Sequence, residues 1–293
     1  MYPQTGCLGP GHQLFALGML AKVRRDLQSK QRPEFPALLE KALEEVAASN
    51  RNVEKMIISS ERFANATDDE VESLGRMLDG FDVSIVLFLR RQDSLAESMF
   101  AQAMRVRWTK FSKEKLLNPL NPRFKFYTLI QRWEQVFGNG SVGVCRFGKT
   151  PEGGGDLIDQ FLDAVGARAA RTDKRDFRSN TKLSRDALEF LFHHTDLSFG
   201  TIEYNRLDAR LVEFSQVNPT PPQFKNFFSP DERRHILDNH ADENENVARR
   251  LFDAESLFDG SLPGENEDWQ PYPGLSPVAK AAIEGFLYRA KAA

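Results

Sequence analysis

Residues 82–98 of this chain read DVSIVLFLRRQDSLAES, and this stretch decides the fold. Residues 82–89 are almost continuously apolar and rich in β-branched side chains, which predicts a central parallel strand covered on both faces. Residues 94–97 (SLAE) have the spacing of a capping box, so we expect a long helix to begin there. Arg90 and Arg91 therefore stand between a buried strand and a helix.

Further strands and helices alternate along the chain. Residues 56–58 form a short apolar run that predicts a buried strand, and residues 141–147 predict a third strand. Helix starts are predicted at Thr67, Ser184, Ser229 and Ser276. Such alternation predicts a parallel sheet with helices packed on it. We expect a single three-layer α/β/α domain over residues 1–293, with its core in residues 1–255 and an acidic loop plus a C-terminal helix in residues 253–293.

The composition is that of a globular protein. The 293 residues are 41% hydrophobic and 28% charged, and the formal net charge of -3 gives no electrostatic case for a nucleic-acid partner. The longest apolar run is far shorter than the ~20 residues of a membrane-spanning helix, so no integral membrane segment is expected.

The N-terminus lacks the pattern of a secretory signal, and two cysteines form no disulfide framework, which predicts a cytoplasmic protein. His235 and His240 are off the spacing of helical metal ligands, so no metal is predicted.

Ligands of open parallel sheets bind beyond the carboxyl ends of the strands. The polar residues at two of the predicted strand ends are Ser59, Ser60, Glu61, Arg90 and Arg91. Ser98 follows Arg90 on the next helix, so the guanidinium of Arg90 and the hydroxyl of Ser98 can bind the same phosphate. Simpler interpretations stay open: residues 59–61 form a helix-capping turn, and both arginines lie on the surface.

The pair Arg90 and Ser98 resembles the 3′-phosphate motif of sulfotransferases, in which a strand-end Arg and a helix Ser bind the 3′-phosphate of 3′-phosphoadenosine 5′-phosphosulfate. Residues 57–63 (IISSERF) and 86–93 (VLFLRRQD) resemble the bacterial sulfotransferase family more specifically. The resemblance extends over most of residues 1–255, through Arg132-Trp133, Val136-Phe137-Gly138, Gly154, Asp156-Leu157, Phe161 and Asn180-Thr181-Lys182-Leu183-Ser184.

This resemblance implies a P-loop NTPase-like sulfotransferase fold with 3′-phosphoadenosine 5′-phosphosulfate as co-substrate. The reaction implied is transfer of the sulfuryl group to a hydroxyl or amine of a carbohydrate-type acceptor. Glu61 would be the catalytic base, because glycan-modifying sulfotransferases carry a Glu at the corresponding strand end. The implied donor contacts are Arg90 and Ser98 on the 3′-phosphate, with Ser59, Ser60, Arg91, Asn180 and Lys182 beside them.

Candidate acceptor contacts are His12, Arg62 and Trp108. Arg62 occupies the position where the family often has a Lys, and the segment around His12 resembles a His-containing segment of the family. Trp108 lies in a basic stretch, residues 105–115, that suits an anionic or carbohydrate acceptor; a solvated helix face is the simpler interpretation. An N-terminal cap for the helix from Ser184 explains Asn180 and Lys182 equally well.

In this family the first strand, a Gly-rich loop and a helix N-terminus hold the 5′-phosphosulfate. Residues 2–6 resemble the segment that follows that unit, so the loop is expected before Met1. The alternatives are a misassigned start codon and a true loss of the donor loop. We favour the misassigned start, because the other motifs are intact.

Residues 143–150 (GVCRFGKT) match the phosphate-loop pattern of kinases and NTPases. A working loop enters a helix directly after Lys-Thr, whereas here VCRF predicts a strand and a Pro/Gly-rich stretch follows. We therefore do not predict a phosphate loop at Gly148-Lys149-Thr150. The rival functions are a kinase or NTPase that uses this loop, and a non-catalytic binding protein on the same fold.

Overall fold

The 82–98 stretch folds as a strand, a turn and a helix. In the computed structural model, the strand spans Ile85–Leu89 and the helix spans Gln92–Arg105. The predicted cap at Ser94 is wrong, because the helix begins two residues earlier and Glu97 accepts hydrogen bonds elsewhere. The structure describes residues 1–5, 7, 12–19, 34–49, 52–147, 157–167, 182–193, 196–198, 200–258, 260, 262–264 and 267–289.

Over these residues the protein is mixed α/β and mostly helical. The helices are α1 (Gln13–Met19), α2 (Phe35–Ala48), α3 (Asp68–Met77), α4 (Gln92–Arg105), α5 (Lys113–Leu117), α6 (Phe126–Phe137), α7 (Leu157–Ala164), α8 (Arg185–His193), α9 (Ile202–Val217), α10 (Pro230–Asp238), α11 (Ala241–Phe252) and α12 (Pro277–Arg289). The strands are β1 (Ile85–Leu89) and β2 (Val142–Arg146). No helix in the described ranges combines the length and the apolar character needed to cross a membrane.

β1 and β2 pair as a two-stranded parallel sheet. The amide of Ile85 donates to the carbonyl of Ser141 over 2.8 Å, and the amide of Phe147 donates to the carbonyl of Leu89 over 2.7 Å. Leu89 is buried, whereas the other β1 residues are half-buried. β1 is therefore less covered than the predicted central strand, although its parallel pairing with the 141–147 strand is confirmed.

The predicted strand at residues 56–58 does not form. This stretch has no regular secondary structure, and its side chains are half-buried. The amide of Ile57 donates to the carbonyl of Met1 over 2.8 Å. Among the described residues the sheet therefore has two strands, and the three-layer arrangement stays a prediction.

Local signals predicted four helix starts correctly, because α3, α8, α10 and α12 begin directly after Thr67, Ser184, Ser229 and Ser276. Thr67 accepts from the amide of Glu70, whose carboxylate accepts from the amide of Thr67. Ser229 and Glu232 form the same reciprocal pair before α10, where Pro230 occupies the first helical position. Helices α9 and α11 were not predicted, although a Thr residue caps α9 in the same way.

The chain divides into two compact units, and the single-domain organisation stays a prediction. The first comprises Met1–Leu87 and Phe126–Gly143, and the second comprises Phe88–Lys125 and Val144–Ala293. In the first unit α1 packs on α2 and α3 packs on α6. In the second, α8 packs on α4, α9 and α12, while α10 packs on α4 and α5. The second core buries, among others, Met104, Phe124, Leu191, Leu211, Phe228 and Ile283.

A close contact between α3 and α6 yields a stability prediction. A Cβ atom at Gly75 would lie 2.3 Å from Cγ1 of Val136, and a β-branched side chain on a helix has little freedom to move away. Gly75→Ala should therefore lower the free energy of unfolding by about 1 to 3 kcal/mol, although alanine is the better helix former. Urea denaturation measures this change.

The control is Val136→Ala, which removes the clashing methyl group. In the Gly75→Ala background it should recover part of the lost stability, whereas alone it should destabilise the protein. A Gly75→Ala protein at least as stable as the wild type would contradict the predicted clash.

Candidate functional site

The candidate site is centred on Arg90, the first residue after β1. Its side chain is half-buried, and its guanidinium carbon lies 5.0 Å from the centroid of the Phe147 ring. Burial lowers the pKa of Arg90, while the charge of Asp93 acts in the opposite direction. Among the described residues the guanidinium has no hydrogen-bond or ion-pair partner. A partly desolvated cation of this kind is stabilised when an external anion binds.

Arg91 differs from its neighbour because its charge is neutralised within the chain. Its Nε and Nη2 donate to the two carboxylate oxygens of Asp93, over 2.9 and 2.8 Å. These hydrogen bonds raise the pKa of Arg91. The Asp93 side chain is only 1% exposed, and Nε of Arg233 lies 3.7 Å from its Oδ2. The structure thus places Arg91 in a buried ion cluster that holds the turn.

Ser98 lies on α4 with an exposed side chain. The helical rise puts it about 9 Å along the axis from Gln92, the first residue of the helix. Arg90 therefore follows the end of β1 and Ser98 lies on the next helix, both within the second unit, as the sequence predicted. The exposed position leaves the Ser98 hydroxyl accessible to a ligand.

Glu97, next to Ser98, has a role that the sequence did not indicate. Its carboxylate accepts from the consecutive amides of Phe227 and Phe228, over 2.8 and 3.0 Å. Burial raises the pKa of Glu97, against the opposing effect of these amides and of nearby arginines. Glu97 therefore ties α4 to the loop before α10. A partner 130 residues away leaves no local signal.

In the first unit, Ser60 and Glu61 are linked through Gln13. Ser60 Oγ donates to Oε1 of Gln13 over 2.7 Å and accepts from the amide of Arg62 over 3.3 Å. Nε2 of Gln13 donates to Oε2 of Glu61 over 3.2 Å. Ser60 thus caps the short 3₁₀ helix Glu61–Asn65, as the simpler interpretation predicted. Glu61 and Arg62 are exposed, so the carboxylate proposed as a base is accessible to solvent.

His12 is fully buried in the first unit. Its Nδ1 accepts from the amide of Ser59 over 3.0 Å, so Nε2 carries the proton and donates to the carbonyl of Pro3 over 2.7 Å. Both ring nitrogens are therefore hydrogen-bonded to the backbone, which gives His12 a structural role. The side chain of Ser59 is exposed, and an acceptor contact through His12 stays a prediction.

Trp108 lies on the surface of the second unit. Its side chain is 48% exposed and stacks on Phe111, with 5.0 Å between ring centroids. Four basic residues of the 105–115 stretch contact the chain itself: Arg105 with Asp208, Arg107 with the carbonyl of Phe192, Lys113 with Glu232, and Lys115 with the carbonyl of Lys110. The exposed aromatic ring, more than the charge, is therefore available to a ligand here.

Of the remaining predicted contacts, one is a described residue and the others lie outside the described ranges. Lys182 is exposed, and Asn180 lies outside the described residues, as do Gly148, Lys149 and Thr150. Residues 143–146, at the start of the phosphate-loop match, lie in β2, as predicted. The first helix described after β2 begins at Leu157.

The buried ion cluster yields a second stability prediction. Asp93→Asn should lower the free energy of unfolding by about 3 kcal/mol, because the guanidinium of Arg91 would lose its carboxylate inside the protein. Glu245→Gln is the matched control, since Glu245 pairs with Arg249 on the surface and its loss should cost less than about 1 kcal/mol. Equal effects of the two substitutions in urea denaturation would contradict the assigned role of Asp93.

Comparisons with known proteins identify a distant relative. No family model matches this chain, and no solved structure matches it. A protein of Archaeoglobus fulgidus described as "Uncharacterized protein" is 24% identical over 204 residues. The match covers 69% of this chain and 55% of that protein, so the chain spans little more than half the length of this relative.

Proposed function

We propose that this protein is a sulfotransferase. It would transfer the sulfuryl group of 3′-phosphoadenosine 5′-phosphosulfate to a hydroxyl or amine of a carbohydrate-type acceptor, on the three-layer P-loop NTPase-like fold of that family. The observation that carries the proposal is Arg90. Its guanidinium follows a parallel strand, is half-buried, and has no ion-pair or hydrogen-bond partner among the described residues.

A 3′-phosphate fits the surroundings of Arg90. The planar guanidinium can donate to two phosphate oxygens at once, and the phosphate would place a negative charge in direct contact with Arg90. The N-terminal end of α4 begins two residues later and adds a partial positive charge. The exposed hydroxyl of Ser98 would complete the contact. Arg91, which pairs with Asp93, would support the turn rather than bind the ligand directly.

In the proposed reaction, Glu61 removes the proton of the acceptor hydroxyl as the acceptor oxygen attacks sulfur. A sulfur–oxygen bond forms to the acceptor, and the bond from sulfur to the 5′-phosphate oxygen breaks. Adenosine 3′,5′-bisphosphate leaves with the electron pair of that bond. Catalysis of this kind depends on positioning and on stabilising the charge of the leaving group. The bond from Gln13 supports this role because it orients the exposed carboxylate of Glu61.

The proposal predicts a loss of affinity that depends on the 3′-phosphate. Arg90→Ala should weaken binding of adenosine 3′,5′-bisphosphate by about 2 to 4 kcal/mol, because a partly desolvated charge pair is lost. Binding of adenosine 5′-monophosphate, which lacks the 3′-phosphate, should not change. Isothermal titration calorimetry with both nucleotides measures the difference. Arg249→Ala, an exposed substitution on α11, should leave both affinities unchanged.

Several outcomes would contradict the proposal. An Arg90→Ala protein that binds adenosine 3′,5′-bisphosphate as the wild type does would remove the assigned role of Arg90. Thermal stabilisation of the wild type by ATP with magnesium, but not by adenosine 3′,5′-bisphosphate, would support a kinase or NTPase that uses Gly148-Lys149-Thr150. No response to either nucleotide would support a non-catalytic binding protein.

A further inference from the structure

The segment around Glu267 is held against other residues of the second unit by hydrogen bonds. Both carboxylate oxygens of Glu267 accept from Nη1 of Arg233, over 2.7 and 2.9 Å. The same carboxylate accepts from the side-chain amide of Asn226 over 2.8 Å. Trp269 follows with a bond from its Nε1 to the carbonyl of Asn226, over 3.0 Å. This part of the predicted acidic loop is therefore held by specific contacts.

Arg233 connects Glu267 with the turn beside Arg90. Its Nε lies 3.7 Å from Oδ2 of Asp93, the carboxylate that also pairs with Arg91. Charges therefore alternate along four residues, Arg91, Asp93, Arg233 and Glu267, which we call the charge chain. Its two central members are the most buried, with Arg233 12% exposed and Asp93 1% exposed. The charge chain extends from the C-terminal segment to the residue next to Arg90.

One carboxylate in the charge chain faces two guanidinium groups. Asp93 lies within 2.8 and 2.9 Å of Arg91 but 3.7 Å from Arg233, so Arg91 holds it more closely. Arg233 is stabilised in this arrangement because its Nη1 also donates to both carboxylate oxygens of Glu267. Without the charge of Glu267, the nearly buried Arg233 would keep Asp93 as its ion-pair partner, with the charge of Glu97 nearby, and Asp93 would be drawn away from Arg91.

The same segment contacts the turn at a second point. A Cβ atom built on Gly260 would lie 3.4 Å from Nη1 of Arg91, so the backbone of the segment comes close to this guanidinium. Gly260 has a φ of 108°, a conformation that other residues rarely adopt. The segment therefore approaches Arg91 directly at Gly260 and indirectly through the charge chain.

We propose that Glu267 is a positioning residue of the anion site. Acting through Arg233 and Asp93, it keeps Arg91 paired within the turn and leaves Arg90 as the guanidinium that meets the phosphate. This inference rests on the function proposed above. It extends the site to a part of the chain that the sequence assigned to a surface loop.

The inference is tested by whether one substitution, Glu267→Gln, raises or lowers the affinity for adenosine 3′,5′-bisphosphate. Glu267→Gln preserves the shape of the side chain and removes its charge. If Glu267 acted only through its negative charge, the substitution would strengthen the binding of an anion. A positioning role predicts the opposite, a dissociation constant for adenosine 3′,5′-bisphosphate that rises about fivefold or more. Isothermal titration calorimetry measures it, and an unchanged or tighter affinity would overturn the inference.

A matched control distinguishes a specific effect of Glu267 from the effect of removing any one negative charge. Glu213→Gln removes a carboxylate that pairs with Arg210 on the surface of α9 and is not a member of the charge chain. It should leave the dissociation constant unchanged. An equal weakening by both substitutions would show an effect of overall charge and would contradict a specific role for Glu267.

A second measurement does not depend on the proposed ligand. Amide hydrogen exchange of residues 91–95 in the free protein should be faster in Glu267→Gln than in the wild type, because the turn loses its support. Unchanged exchange there would overturn the inference. If the wild type does not bind adenosine 3′,5′-bisphosphate but exchange is accelerated, the proposed function fails while the support of the turn by Glu267 stands.

Discussion

The strand-to-helix turn depends on one buried carboxylate, that of Asp93. Burying an ionised carboxylate costs several kcal/mol, and the cost is offset only when well-oriented cations and hydrogen bonds surround it. Two hydrogen bonds from Arg91, the nearby guanidinium of Arg233 and the amide of Ser94 meet this requirement. Because few other arrangements satisfy Asp93, the chain between β1 and α4 is restricted to a narrow range of geometries.

The consequence for function is that two adjacent arginines have different roles. The bonds to Asp93 occupy the guanidinium of Arg91, while burial acts on Arg90 without a hydrogen-bond partner among the described residues. A side chain already held near a strand end loses little conformational freedom when it binds a ligand, which favours affinity. The turn therefore prepares Arg90 for an anion and uses Arg91 as its support.

Aromatic rings accompany several arginines of the second unit. The guanidinium of Arg90 lies over Phe147, that of Arg146 over Phe252 at 4.7 Å, and that of Arg185 over Phe227 at 3.8 Å. A ring face attracts a cation and excludes water from one side of it, but it does not neutralise the charge. Stacking of this kind can hold Arg90 in place and leave its charge available to a ligand.

The sequence alone determined the features that depend on near neighbours. The apolar run of β1, the capping boxes at Thr67 and Ser229 and the strand after Ser141 were predictable, because each signal lies within a few residues of the structure that it specifies. The positions of Arg90 after the end of β1 and of Ser98 on α4 followed from the same local pattern.

Only the tertiary structure decided which of these residues are free and which are paired. Glu97 bonds to amides 130 residues away, and Arg233 reaches Asp93 and Glu267 from a different helix. The strand predicted at residues 56–58 does not form for the same reason: an apolar run becomes a strand only where a neighbouring strand supplies its hydrogen bonds. Pairing between distant residues depends on how helices pack, and packing leaves no short-range pattern in the sequence.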